Sequence, residues 1–306
     1  TYNVFSGDIV KYSKRGRPLY LGDDKLQLER QIGEGTYGKI FTALFGKTKA
    51  AVKLNKYRLD SRAKKIDYYS EIIIQNELFC LTRGSLGPQM AKIPKPLFIC
   101  KYKQDKDNIP VVGMEPLSVS VSSFISTLYR AYRAKETKVT KEYCTKQILN
   151  MLYCISNTLE HLQHKFDFIH RDLHTGNVMA KMVGSELPQW HIIDFGMSTM
   201  ILNDERINDS KHCCGGMYDK GVSDKHFNKC HDLRQFFFSL MYYDDDKELE
   251  TILDDVVFGV FNGLFEYLKK QIRTLRLAPE YSNMCHKLYG EAIVKMNSPI
   301  FEPSAF

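Results

Sequence analysis

The sequence predicts an α+β chain, with a small antiparallel sheet and one helix first and a mainly helical remainder after it. Three observations carry this expectation. Residues 26–54 hold three short apolar runs punctuated by glycine turns, the pattern of successive hairpins. Residues 62–83 and 140–164 repeat apolar side chains at three- and four-residue spacing, the pattern of helices with a buried side. The length of 306 residues suits about two lobes with a sizeable core.

Composition narrows the function classes. Apolar residues make up 43% and charged residues 26%, as in ordinary globular chains. No apolar run approaches the roughly 20 residues of a membrane-spanning helix. The net charge of +7 is mild and reads as ordinary surface charge, so neither a membrane partner nor direct nucleic-acid binding is expected. No signal peptide is visible, and Thr1 in place of Met implies that the native N-terminus is missing. Eight cysteines without a secretory signal imply free thiols in an intracellular, reducing compartment.

Residues 1–25 read as a solvated extension with a basic cluster at Lys11, Lys14, Arg15 and Arg17. Leu26, Leu28 and Ile32 then lead into Gly33-Glu34-Gly35-Thr36-Tyr37-Gly38. Ile40, Phe41, Ala43 and Phe45 form a return strand, and Ala50-Ala51-Val52-Lys53-Leu54 a third. Dinucleotide-binding folds use the same glycine spacing, but there a helix follows. Here a strand follows, so the turn should fold as a flap over phosphates, its glycines letting backbone N–H groups approach. Lys53 then supplies a point charge for the α- and β-phosphates.

The helix at 62–83 carries two acidic candidates to pair with Lys53. Glu77 has Ile73, Ile74 and Leu81 around it, which predicts an inward position. Glu71 sits between Asp67 and Gln75 and reads as the wetter side. Glu77 is therefore the expected partner. Gly84 and Gly87-Pro88 end the helix. Ile93 to Ile99 reads as an edge strand, where proline is tolerated, and Ile109 to Met114 as a strand entering Glu115-Pro116-Leu117.

Helices are expected at 120–131 and 140–164. The second has Thr140 as its cap and Ile148, Leu149, Leu152, Ile155, Leu159 and Leu162 as a core-facing stripe. Strands follow at Val178–Met182 and Trp190–Ile193, joined by a turn around Gly184. Residues 197–231, rich in Asn, Asp, Ser and Gly, read as a long functional loop. Helices are predicted again after Asp232, at 246–277 and at 281–296, with an irregular tail beyond. His212-Cys213-Cys214, His226, Cys230-His231 and Cys285-His286 match no paired zinc spacing, and we read them as unligated.

The chemistry concentrates in Phe168-Ile169-His170-Arg171-Asp172-Leu173-His174-Thr175-Gly176-Asn177. An Asp at the end of such a loop can accept the proton of an attacking hydroxyl, and an Asn five positions on can hold a metal ion that bridges phosphates. The apolar strand ending in Asp194-Phe195-Gly196 adds a carboxylate, which suits Mg²⁺.

Taken in order, Gly33/Gly35/Gly38, Lys53, Glu77, Glu115, His170-Arg171-Asp172, Asn177, Asp194-Phe195-Gly196 and Asp232 resemble the eukaryotic-type protein kinases over residues 26 to about 240. Met114-Glu115-Pro116-Leu117 is similar to the casein-kinase-like branch, and His170-Arg171-Asp172-Leu173-His174 to haspin-like kinases; a large DNA virus is a conceivable source. The resemblance implies a bilobal fold, with an N-lobe at 26–115 and a C-lobe at 118–306. It implies ATP and Mg²⁺ as cofactors and protein Ser/Thr hydroxyls as acceptors. Asp172 would be the base, with Lys53, Glu77, Arg171 and Asn177 as further catalytic residues. Asn177 and Asp194 would hold metal. Ile32, Gly33, Glu34, Gly35, Thr36, Tyr37, Gly38, Lys39, Ile40, Lys53, Met114, Glu115 and Leu117 would bind the nucleotide, the last three at a hinge. Asp232 would anchor the loop backbone. Arg171 would meet a phosphorylated residue, with Ser198, Thr199 and Ser210 as candidates.

Three features depart from that family. His174 stands where serine/threonine kinases usually carry Lys. No Ala-Pro-Glu closes the loop near 217–220, and Ala278-Pro279-Glu280 lies too far on. Only 74 residues follow Asp232, which implies a trimmed C-lobe. The alternatives are an aminoglycoside- or choline-kinase-like phosphotransferase, which shares the Asp…Asn…Asp chemistry, and a non-catalytic binding module.

Overall fold

The computed structural model describes residues 26–34, 38–55, 62–104, 107–182, 188–207, 231–243 and 246–274. The expected N-terminal extension, Gly35 to Tyr37, the Gly184 turn, Ser210, most of the His/Cys set, the Ala278-Pro279-Glu280 stretch and the helix at 281–296 lie outside these residues.

The chain divides into two compact units, each described by itself. The first contains β1 (Leu26–Glu34), β2 (Gly38–Phe45), β3 (Thr48–Asn55), α1 (Arg62–Thr82), β4 (Pro96–Gln104) and β5 (Asp107–Met114). Its antiparallel sheet runs β1-β2-β3-β5-β4. β4, which opens on Pro96, lies at an edge, where a missing N–H costs no ladder bond. One sheet face buries Ala43, Phe45, Ala50, Val52, Leu54, Phe98 and Val111. Phe45 and Phe98 stack with ring centroids 4.6 Å apart. The Phe98 ring occupies the space a Cβ at Gly113 would need, its Cζ only 2.2 Å away.

The second unit takes the loop Leu86–Lys92 and the chain from Ser118 onward. That loop docks on the second unit's own elements. Ala91 N–H donates to Cys154 O, Thr158 Oγ1 donates to Ala91 O, and Lys92 bridges to His191. It therefore groups apart from the 26–115 segment in which the sequence placed it. The remaining elements are β6 (Val119–Ser120), α2 (Val121–Arg133), α3 (Lys141–Phe166), β7 (Val178–Lys181), β8 (Gln189–Ile192), β9 (Met200–Leu202), β10 (Glu205–Ile207), α4 (His231–Tyr243), α5 (Asp246–Ile252) and α6 (Asp255–Thr274).

Thr140 caps α3 as expected, accepting from Tyr143 N–H at 3.1 Å. The buried stripe of α3 is Ile148, Leu152, Ile155, Leu159 and Leu162. Leu149 is a correction, because it is 41% exposed beside the exposed Tyr153. One step past Ile148 turns a side chain by about 100°, off the stripe. Two boundaries also differ from expectation. The predicted 246–277 helix breaks at Leu253-Asp254, where Asp254 N–H donates to Thr145 Oγ1 of α3. Part of the predicted long loop is the β9–β10 hairpin. Its tip, Asn203-Asp204, has both residues at positive φ (51° and 64°), as a tight two-residue hairpin turn requires. The Asn-Asp dipeptide between two short strands is the sequence signal of this turn.

Candidate active site

In the first unit, the register β2–β3 sets Ile40 opposite Lys53. A Cβ at Gly38 would lie 3.0 Å from Leu54 O and 3.1 Å from Lys53 Cγ, so the backbone passes close beside the lysine stem. Gly33, Glu34, Lys39 and Ile40 lie on the two strands that flank residues 35–37, and Ile32 is exposed on β1.

Lys53 Nζ meets Glu71 Oε1 at 2.9 Å, with both side chains mostly buried. This corrects the expected Glu77. Apolar neighbours do not mark the sheet-facing side of α1, because the helix is buried over most of its circumference between Ser70 and Leu78. The polar-looking side is the one turned to the sheet. Glu71 reaches Lys53 on β3, and one turn later Gln75 donates to Met114 Sδ on β5. Glu77 is buried on another side, where its charge helps raise the pKa of Cys80, a shift caused first by burial.

At the end of β5, Glu115 N–H donates to Lys95 O, and Lys95 N–H donates to Glu115 Oε1, both at 2.9 Å. This mutual clasp fixes the Glu115 backbone. Leu117 is the last residue of the first unit.

In the second unit, one side of α4 holds the loop 170–175. Asp232 Oδ2 accepts from His170 N–H at 2.8 Å and Oδ1 from Arg171 N–H at 2.9 Å. Asp232 is fully buried. Burial pushes its carboxyl up to about 6, while the two N–H donors and the Arg171 charge pull the other way. Arg171 is itself buried and adopts a left-handed φ of 66°, a conformation that non-glycine residues hold only where their surroundings enforce it.

His170 is buried against the rings of Phe168 and Phe195. A carbonyl can only accept, so its Nε2–H donates to Ile193 O at 2.9 Å. Its Nδ1 is buried without a hydrogen-bond partner among the described residues. Burial drives the imidazole down to about 4, against the Ile193 bond and the Asp194 charge.

Asp172 and Asn177 come together within the loop. Asn177 Nδ2 donates to Asp172 O at 2.8 Å and reaches Asp172 Oδ2 at 3.5 Å. A 3-10 turn, Thr175–Asn177, connects them, capped by His174 Nδ1, which accepts from Gly176 N–H at 3.1 Å. His174 Nε2 stands 3.9 Å from Asp172 Oδ2. The β7–β8 register sets Val178 opposite Ile192, and Ile193 N–H donates to Asn177 O. Asn177 and Asp194 therefore leave the same end of one hairpin, Asp194 with a left-handed φ of 62°.

These oxygen donors suit a hard cation such as Mg²⁺, which is held through few protein ligands and completes its shell with water and phosphate. Among the described residues, no three His, Cys, Asp or Glu side chains group as a fuller metal site.

Ser198 and Thr199 are corrected as acceptors of a regulatory phosphate. Both are fully buried, with Ser198 Oγ donating to His170 O and Thr199 Oγ1 to Ile207 O. Two site residues escaped the sequence reading: Gln235, whose Nε2 donates to Asp172 Oδ1, and Ser239, whose Oγ accepts from Thr175 N–H. Their only sequence signal was polarity inside an apolar helix.

A lysine-bearing antiparallel sheet with a glutamate-bearing helix, and an Asp–Asn loop anchored on a buried helix, define the protein-kinase class. The model of the protein tyrosine and serine/threonine kinase family matches residues 26–215, and the chain belongs to that family. No curated protein matches the chain.

Proposed function

We propose that this protein kinase transfers the γ-phosphate of ATP to Ser/Thr hydroxyls of protein substrates, with Asp172 as the base. The observation that carries the reading is the Asp172–Asn177 pair, fixed by the Asn177 Nδ2 bond to Asp172 O in a loop whose backbone is held by Asp232. Asp172 orients the acceptor hydroxyl and takes its proton. Lys53, steered by Glu71, places its ammonium against the α- and β-phosphates. The Gly38 backbone passes close beside that lysine, as a phosphate cradle needs. Because its N–H is taken by Lys95, Glu115 would offer adenine its carbonyl. Met114 and Leu117 flank it.

Asn177 and Asp194 would hold Mg²⁺, which would supply positive charge to neutralise the phosphates during transfer. His174, its Nε2 3.9 Å from Asp172 Oδ2, stands where serine/threonine kinases usually carry Lys, and the matched family spans tyrosine and serine/threonine kinases alike, so the acceptor hydroxyl is the point the test decides.

The test is labelled ATP with Mg²⁺, a basic protein, casein and a panel of small alcohols, for the wild type and Asp172→Asn. Phosphoserine or phosphothreonine that disappears in the variant supports the proposal. Phosphotyrosine corrects the acceptor, and label confined to the alcohols moves the chain to the metabolite kinases. ATP binding without transfer makes it a binding module.

A further inference from the structure

One side of α4 carries a polar ladder. Asp232, Gln235 and Ser239 follow at i, i+3 and i+7, and all three are buried. They take hold of the loop in chain order: Asp232 at the N–H groups of His170 and Arg171, Gln235 at the Asp172 carboxylate (3.4 Å), Ser239 at the N–H of Thr175 (2.9 Å). Asp232 and Ser239 hold backbone. Gln235 alone of the three holds the side chain of the proposed base.

Burying this amide costs stability. Gln235 is 6% exposed and sits beside Leu233, Phe236, Phe237 and Phe238, all buried. Its Oε1 is buried without a hydrogen-bond partner among the described residues. A buried acceptor left without a partner is destabilising, and an apolar side chain of the same length would avoid that. Buried polarity kept against local packing marks positions held for function.

Building on the proposed reaction, we propose that Gln235 is a positioning residue for phosphoryl transfer: its Nε2–H fixes the orientation of the Asp172 carboxylate. Asn177 Nδ2 lies toward the other oxygen at 3.5 Å, so the amide on Oδ1 decides which lone pair faces the acceptor hydroxyl.

The experiment compares wild type with Gln235→Met, which keeps the length and removes the donor. We expect kcat to fall about 10- to 100-fold, the scale of a misplacement of about an ångström. KM for ATP and acceptor should stay within about twofold. The ratio of ATP hydrolysis to acceptor phosphorylation should rise, which a loss of fold alone would not produce. A kcat within about twofold of wild type, or an effect confined to KM, overturns the assignment.

Should Gln235→Met fail to fold, Gln235→Glu carries the same readouts, because it keeps the shape and replaces the donor by an acceptor. A double-mutant cycle of Gln235→Met with Asp172→Ala, read by denaturant midpoint, needs no activity. Non-additive midpoints support the contact and additive ones overturn it. Absence of transfer by wild type would sink the proposed reaction, and the cycle would still decide the contact.

Discussion

Lys53 Nζ and Glu71 Oε1 lie 2.9 Å apart, joining the third strand to the helix that follows it. The pair is mostly buried, so each charge depends on the other. Glu71→Gln should lower kcat/KM about 10- to 100-fold through the loss of lysine positioning. Glu77→Gln should leave the nucleotide dependence of the rate unchanged. Steady-state kinetics at varied ATP, run on both variants, separates the two glutamates.

Asp232 holds two buried backbone N–H groups. Asp232→Ala orphans both, at about 1–3 kcal/mol each. Denaturant unfolding should show a loss of about 2–6 kcal/mol.

The same residue and His170 make opposite contributions to the pH dependence of stability. The folded pKa of Asp232 is raised to about 6 from 3.8, so the folded state binds the proton more tightly, and this contribution is lost as pH rises from about 4 to about 6. The folded pKa of His170 is lowered to about 4 from 6.5, so its contribution is full above about 6.5 and is lost as pH falls toward about 4. The stability advantage of wild type over Asp232→Asn should therefore shrink between pH 4 and 6 and stay flat above. In NMR titration His170 should hold its neutral shifts throughout the range in which an ordinary histidine charges.

Gly113→Ala would drive a Cβ into the Phe98 ring, whose atoms lie 2.2–2.6 Å from the Cβ position. Thermal unfolding should show a loss of about 1–3 kcal/mol, the cost of overpacking a full core.

The α3 surface gives a paired contrast. Leu152→Ala, inside the buried stripe, should cost about 2–5 kcal/mol. Leu149→Gln, on the exposed side, should stay within about 0.5 kcal/mol.

The sequence by itself determined the local features. The strands around the glycine turn, the Thr140 cap and the order Lys53, Asp172, Asn177, Asp194, Asp232 follow from periodicity, capping chemistry and spacing, which neighbouring residues carry. Only the tertiary structure decided which side of a helix meets which partner. Between Ser70 and Leu78 the first helix is buried nearly all round, so its hydrophobic pattern could not tell Glu71 from Glu77. The β2–β3 register and the seat of the helix on the sheet made that choice. Gln235 and Ser239 were illegible for the same reason. Their partners, Asp172 and Thr175, lie more than 60 residues away in the chain, and only packing α4 beneath the loop brings them within hydrogen-bond reach.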